Sequence, residues 1–210
     1  MPDERSEDGA TVDATRPDMP TTAKRLLAGA TECFAANGYQ ATTTRDISNT
    51  ANLSAGSLYV HFKSKEHLLY ELIRRAHGEL LTALRALPEP TAGSELQLVT
   101  DQIRTVTHWH VENHLLARVA QTELPNLSDE HYQSVREQRT AIESMLTTPV
   151  VTGCEAGVFQ CADPRLFVRA MLSLSIDVIR WYAPNGRYTA AELAQSNVDI
   201  LSAYLLRGES

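Results

Sequence analysis

The stretch from Thr42 to Leu68, TTTRDISNTANLSAGSLYVHFKSKEHL, constrains this 210-residue chain more tightly than any other. Thr42 or Thr43 can cap a short helix, because a Thr hydroxyl accepts a hydrogen bond from an orphan backbone N–H one turn on. Ile47 and Ala51 stand four residues apart and share one side of that helix. Asn52 sits where the chain must turn, and Asn tolerates the left-handed conformation better than most residues other than Gly. Leu53 is expected to pack inward and Ser54 to cap a second helix, which carries Leu58 and Phe62 at i, i+4. That helix presents Ala55, Gly56, Ser57, Tyr59 and His61 outward, and Ser64 caps a third.

Two short helices around a three- to four-residue turn, the second led by small residues, describe a helix-turn-helix. Small side chains let the helix N-terminus sink into a major groove, and its free N–H groups suit phosphate oxygens. The net charge of −7 argues against a nucleic-acid partner until it is divided along the chain. Residues 21–77 hold seven Lys/Arg against four Asp/Glu; residues 1–20 hold two against six, and residues 78–210 ten against sixteen. Net positive charge is thus confined to the helix-turn-helix segment, and the acidic excess elsewhere keeps the rest of the molecule off DNA.

The string from Gly38 to Leu69, GYQATTTRDISNTANLSAGSLYVHFKSKEHLL, resembles the DNA-binding domain of the TetR family of transcriptional repressors. It carries a Gly-Tyr-x-x-Thr opening, an Ile-x-x-x-Ala helix, a Leu-Tyr-x-x-Phe recognition helix and a Ser-Lys-Glu-x-Leu helix start. It departs at Ser48, where the family usually has Ala, at Asn52, where it has Gly, and at Ala55, where it often has Lys. The resemblance implies that Tyr59 and Lys65 meet backbone phosphates. Thr43 and Ser54 add contacts at helix starts, which position the protein rather than read sequence. Base reading falls to Arg45, Ser57 and His61, with Gly56 permitting close approach.

Along the chain, residues 1–20 have little to bury and read as a disordered acidic arm. A first helix opens at Thr21 or Thr22 with Ala23, Leu26, Leu27, Ala30, Cys33 and Phe34 on one stripe, and Gly38 ends it. Cys33 is therefore a core residue. A long helix runs from Lys65 towards Leu87, burying Leu68, Leu69, Leu72, Ile73, Ala76, Leu80, Leu81 and Leu84, and Pro88 and Pro90 stop it. The remainder reads as helices without strand alternation: Ser94 to about Asn113, His114 to Leu124, and one from the Ser128 cap that must kink or break at Pro149 before turns at Gly153 and Gly157. Asp163-Pro164 starts a helix over Arg165–Tyr182 that is apolar on more than one face. Pro184-Asn185-Gly186 turns the chain, and Thr189-x-x-Glu192 is a capping box for the last helix, ending near Leu206. Three cysteines without metal or redox spacing fit reduced thiols in a cytoplasm, and no apolar run is long enough to span a membrane.

His108, Trp109, His110 and His114 cluster in HWHVENH; His110 and His114 stand at i, i+4, a spacing that can hold a metal, but no further ligand completes a set. Packing or pocket lining accounts for them without metal or cofactor. Arg118 and Arg139 could meet an anionic ligand or pair at the surface. Arg180-Trp181-Tyr182, followed by Ala183-Pro184-Asn185-Gly186-Arg187, resembles a TetR subgroup whose effectors are acyl-coenzyme A thioesters from lipid or steroid breakdown. That subgroup shows Trp-Tyr-Arg-Pro-x-Gly, and Ala183 replaces its Arg here. No nucleophile–base pair and no Gly-rich phosphate loop suggests an enzyme.

The expected fold is all-α: a three-helix helix-turn-helix domain over 21–77 and a helical ligand-binding and dimerisation domain over 78–210. The resemblance implies a homodimer that binds double-stranded DNA at a palindromic operator and is released by a small-molecule effector, an acyl-coenzyme A in the first place. A drug-responsive repressor of an efflux pump is the alternative within the family. A helical binding protein without DNA is the alternative outside it.

Overall fold

The computed structural model describes residues 19–89 and 93–206; most of the acidic arm, Pro90 and the last four residues lie outside them. The described residues form helices and no strand. Helix α1 (Thr21–Ala41) buries the predicted stripe, and within its span Gly38 leaves helical geometry at φ 77°, ψ 164°. The Thr42 hydroxyl donates to Gly38 O at 2.8 Å, and Thr42 is buried rather than capping. Thr43 takes the cap of α2 (Thr44–Thr50): its hydroxyl accepts from Asp46 N while its own N–H donates to the Asp46 carboxylate at 2.8 Å. Asn52 turns the corner at φ 52°. Arg25 locks that corner by donating to Ala51 O and Asn52 O at 2.6 and 3.0 Å.

The start of α3 (Ser57–His61) corrects the sequence expectation, because Gly56 occupies the cap position and Ser54 caps nothing. Ser54 and the following two residues form a turn instead. The Ser57 N–H donates to Ser54 O at 2.9 Å, and the two serine hydroxyls bond each other at 2.8 Å. Phe62 is already extended, so the recognition helix is short and is held by Leu58 and Phe62, both buried.

Helix α4 (Lys65–Arg85) belongs to two cores. Leu68 to Ala76 pack with α1–α3, and also with Val119, Ala120 and Val135 from further along the chain. Leu80, Leu81 and Leu84 pack with α5 (Glu95–Glu112), α7 (Asp129–Glu155), α8 (Pro164–Asp177) and α9 (Ala190–Leu205). The short α6 (His114–Thr122) follows α5 after a break at Asn113. That break removes the continuous face that the i, i+4 spacing of His110 and His114 implied.

Helix α7 runs through Pro149 unbroken, against expectation. A proline at this position leaves the carbonyl four residues earlier without its donor. Here that carbonyl is Met145 O, and the Gln102 side-chain amide on α5 donates to it at 2.9 Å. Gly153, expected in a turn, lies inside the same helix, and the left-handed turn residue is Gly157 at φ 72°. Helix α8 is shorter than the predicted span: it ends at Asp177 and tightens into a 3₁₀ turn at Val178–Arg180. A buried polar chain then fixes the bundle register. The Thr107 hydroxyl on α5 donates to Ser175 on α8 at 3.0 Å and accepts from Asn197 on α9 at 3.1 Å. Both predicted caps, Asp163 for α8 and the Thr189–Glu192 box for α9, are present.

Candidate nucleic-acid interface and effector cavity

The helix-turn-helix presents Thr43, Arg45, Ser54, Gly56 and Tyr59 exposed, with Ser57 and His61 half-buried. Tyr59 is 60% exposed, which removes burial against the core as its role. Thr43 has its hydroxyl committed to Asp46, whose carboxyl that hydroxyl's bond holds below the usual carboxylate range. Lys65 differs most from a freely reaching surface cation. Its ammonium donates to Tyr39 O and Thr42 O, both at 2.8 Å, and stands 4.1 Å from the Tyr39 ring centre. It clips the end of α1 to the start of α4, with two of the three donors of an ammonium used.

Sequence reasoning passed over Val60 and Lys63, both exposed beside Tyr59. With Leu58 and Phe62 facing inward at i, i+4, Val60 must face outward, so spacing alone could have found it. An outward Val is suited to a thymine methyl group. The start of α4 is also tied to α7. The Glu66 carboxylate accepts from Ser128 N at 2.9 Å and lies 2.8 Å from His131 Nδ1, and Tyr70 stacks on His131 with ring centres 3.9 Å apart.

About midway along α4 lies a cavity of about 100 Å³. Of the predicted ligand residues, Trp109, His110 and Arg139 line it. His77 and Leu80 on α4, Ile142 on α7 and Leu172 on α8 complete much of the wall. An outer cleft of about 540 Å³ adjoins it, lined by Arg139, Arg169 and Arg180 together with Glu143 and Asp177. Gln121, Arg139, Glu143, Leu172 and Ile176 border both spaces. Arg118 and Trp181 border neither, and Trp181 is 53% exposed. Burial pushes the His110 imidazole down to about 4, against the opposing bond from its Nδ1 to Val106 O. Burial also lowers His77. His77 was missed, although a polar residue four positions after Ile73 on the inward face of α4 is a readable signal. Among the described residues, no group of three or more His, Cys, Asp or Glu is disposed to hold a metal ion, and no helix is long and apolar enough to cross a membrane.

A helical chain with an exposed helix-turn-helix at one end, and a helix, α4, shared between it and a cavity in a larger bundle, defines a ligand-responsive DNA-binding regulator. Residues 26–72 match the model of bacterial regulatory proteins of the tetR family, and residues 96–205 match the tetracyclin repressor-like C-terminal domain. The chain belongs to the TetR family and is a helix-turn-helix transcriptional repressor. It is 32% identical over 181 residues to the HTH-type transcriptional repressor KstR2 of Mycobacterium tuberculosis, covering 84% of this chain and 88% of that protein. Among solved structures, a bacterial regulatory protein of the tetR family from Rhodococcus RHA1 is 32% identical with a TM-score of 0.83, covering 91% of this chain and 100% of that one. The ketosteroid transcriptional regulator KstR2 of M. tuberculosis is 25% identical in its solved structure, with a TM-score of 0.80 and coverage of 91% and 98%.

Proposed function

We propose that this repressor works as a homodimer on a palindromic operator and is released by an acyl-coenzyme A thioester from lipid or steroid breakdown. Residues 21–77 serve as the DNA-binding part and residues 78–210 as the ligand-binding and dimerisation part. Tyr59, Lys65, Thr43 and Ser54 position the protein on phosphates, Lys65 through its remaining N–H. Arg45, Ser57 and His61 read bases over Gly56. The observation that supports a thioester is the pairing of two adjoining spaces with different chemistry. The inner one has a largely apolar wall suited to an acyl end. The outer one holds Arg139 together with Arg169 and Arg180, which lie 3.9 and 3.6 Å from the Glu143 and Asp177 carboxylates and would exchange them for a phosphate-rich tail. Arginine forks match phosphate oxygens bidentately. Similarity to a protein named as a ketosteroid transcriptional regulator supports steroid breakdown as the source of the effector.

Release requires that the ligand bind one form of the repressor better than the other. Helix α4 is the lever, since it lines the cavity at His77 and holds the helix-turn-helix at Lys65. A gel shift with DNA upstream of the protein's own gene, random competitor DNA, and a panel of acyl-coenzyme A thioesters and lipophilic drugs tests the proposal. Specific binding relieved by a thioester is expected. Relief by a drug alone would move the assignment to an efflux-type regulator, and no preference over competitor would remove the operator role.

The dimer rests on apolar surface that one chain leaves open. Leu166 and Leu174 on α8 and Ile200 and Tyr204 on α9 are 42 to 63% exposed, and such a patch marks an interface. Two-fold pairing would set the recognition helices about 34 Å apart, one turn of DNA. Light scattering is expected to give twice the 23.2 kDa chain mass for the wild type and the single mass for Ile200→Glu. A wild-type monomer at micromolar concentration would overturn the dimer.

A further inference from the structure

The inner cavity carries more chemistry than an acyl chain needs. Two of its wall residues are buried histidines from different helices, His77 on α4 and His110 on α5. Each ring has its Nδ1 against the carbonyl one turn earlier: His77 with Ile73 O at 2.9 Å and His110 with Val106 O at 2.7 Å. A carbonyl only accepts, so each Nδ1 carries the proton. In a neutral imidazole the other nitrogen is then a bare acceptor. Both rings are held neutral by burial, and Arg139 beside His77 acts in the same direction. The two Nε2 lone pairs therefore cannot satisfy one another. Neither Nε2 can donate to the other, and a donor entering the cavity between these walls would give an Nε2 acceptor a partner.

We propose that the buried end of the effector carries a hydrogen-bond donor, a hydroxyl in the first place, accepted by His77 Nε2 and His110 Nε2. The proposal takes this cavity as the effector's, as argued above. A carbonyl or carboxylate at that end is disfavoured, because it would set acceptor against acceptor. About 100 Å³ is of the order of the ~150 Å³ that admits benzene in an engineered apolar cavity, so only a short hydroxylated segment fits there. The remainder of the molecule then lies towards Arg139 and the outer cleft. A hydroxylated acyl chain meets both demands, and its oxidised keto counterpart meets only one. Because His77 stands on α4, the same contact bears on the helix that leads to the helix-turn-helix.

The test uses four-carbon probes that differ only in the donor. The full chain, labelled with ¹⁵N at histidine, is titrated with 2-butanol and with 2-butanone while the ring nitrogens are followed by NMR. The alcohol is expected to bind at least about fivefold more tightly and to shift the Nε2 signals of His77 and His110, in line with a hydrogen bond worth about 1 kcal/mol. His77→Phe should abolish the preference, and if that variant does not fold, the wild-type Nε2 shifts decide alone. Equal binding of the ketone, unmoved Nε2 signals, or no binding of either probe would each overturn the proposal. Alcohol recognition together with thioesters that leave the operator complex intact would instead sink the coenzyme A assignment and keep the hydroxyl site.

Discussion

Gly153→Ala will lower the stability of the folded chain by about 3 kcal/mol, the upper end of what overpacking a core costs. A methyl placed on Gly153 would lie 2.2 Å from both Cδ2 and Cε2 of Phe159, closer than any carbon pair can stand. The chain reverses just beyond this point, with Val158 N and Phe159 N both donating to Gly153 O at 2.8 and 3.0 Å. That reversal brings the Phe159 ring against Gly153, where Phe159 is only 3% exposed. Alanine would favour the helix by about 1 kcal/mol in isolation. The ring must nevertheless leave its place in the core, and the loss of its packing outweighs that gain. Urea unfolding measures the difference, with Gly56→Ala as a comparison: a Cβ there meets nothing within 4 Å and the backbone is ordinary. A change below about 1 kcal/mol for Gly153→Ala would show that the ring yields without cost. Because Phe159 leads directly into α8, the variant should also weaken the dimer that α8 and α9 are proposed to form.

Gly153 also marks where reading the sequence stops working. A glycine after a proline reads as a turn. Its true reason is a ring six residues later that needs the space, and only the folded path brings that ring back. Pro149 fails in the same way. Its missing N–H was legible, but the Gln102 amide that stands in for it comes from α5, far away in the chain. Local chemistry, by contrast, was readable where it closes within a turn or two. The Thr43 and Thr189 caps, the left-handed Asn52 and the break within α1 at Gly38 all depend on neighbours within a few residues. Ser54 shows the limit even there, since the chain makes one more turn, closed by the Ser57 N–H on Ser54 O, before the helix begins. For the candidate site, exposure of the recognition helix followed from the inward pair Leu58 and Phe62. The clasp of Lys65 on Tyr39 and Thr42 and the meeting of His77 with His110 required the packing of separate helices.

His110 should give the protein an acid limb in stability that His110→Gln lacks. Unfolded, the imidazole titrates near 6.5; folded, burial holds it at about 4. Above pH 6.5 neither state binds this proton, and stability is indifferent to it. Between 6.5 and 4 the unfolded chain takes the proton while the folded chain refuses it, so stability falls as the pH falls. Over that window the loss from this single group is about 3 kcal/mol, and below pH 4 it grows no further. His77, lowered in the same direction, adds to the slope in both proteins. Carboxylates such as Asp46, whose bond to Thr43 depresses it, add a further limb at lower pH, again in both. Comparing the two proteins therefore isolates His110. Glutamine keeps a polar group of similar length but no proton to bind, so the stability gap between wild type and His110→Gln should shift by about 3 kcal/mol in favour of the variant from pH 7 to pH 4. Parallel unfolding curves for the two proteins across that range would mean that His110 is reached by water and titrates in the folded state as it does unfolded. A ring open to water already has a partner for its Nε2, and the acceptor role proposed for it in the cavity would fall with the same measurement.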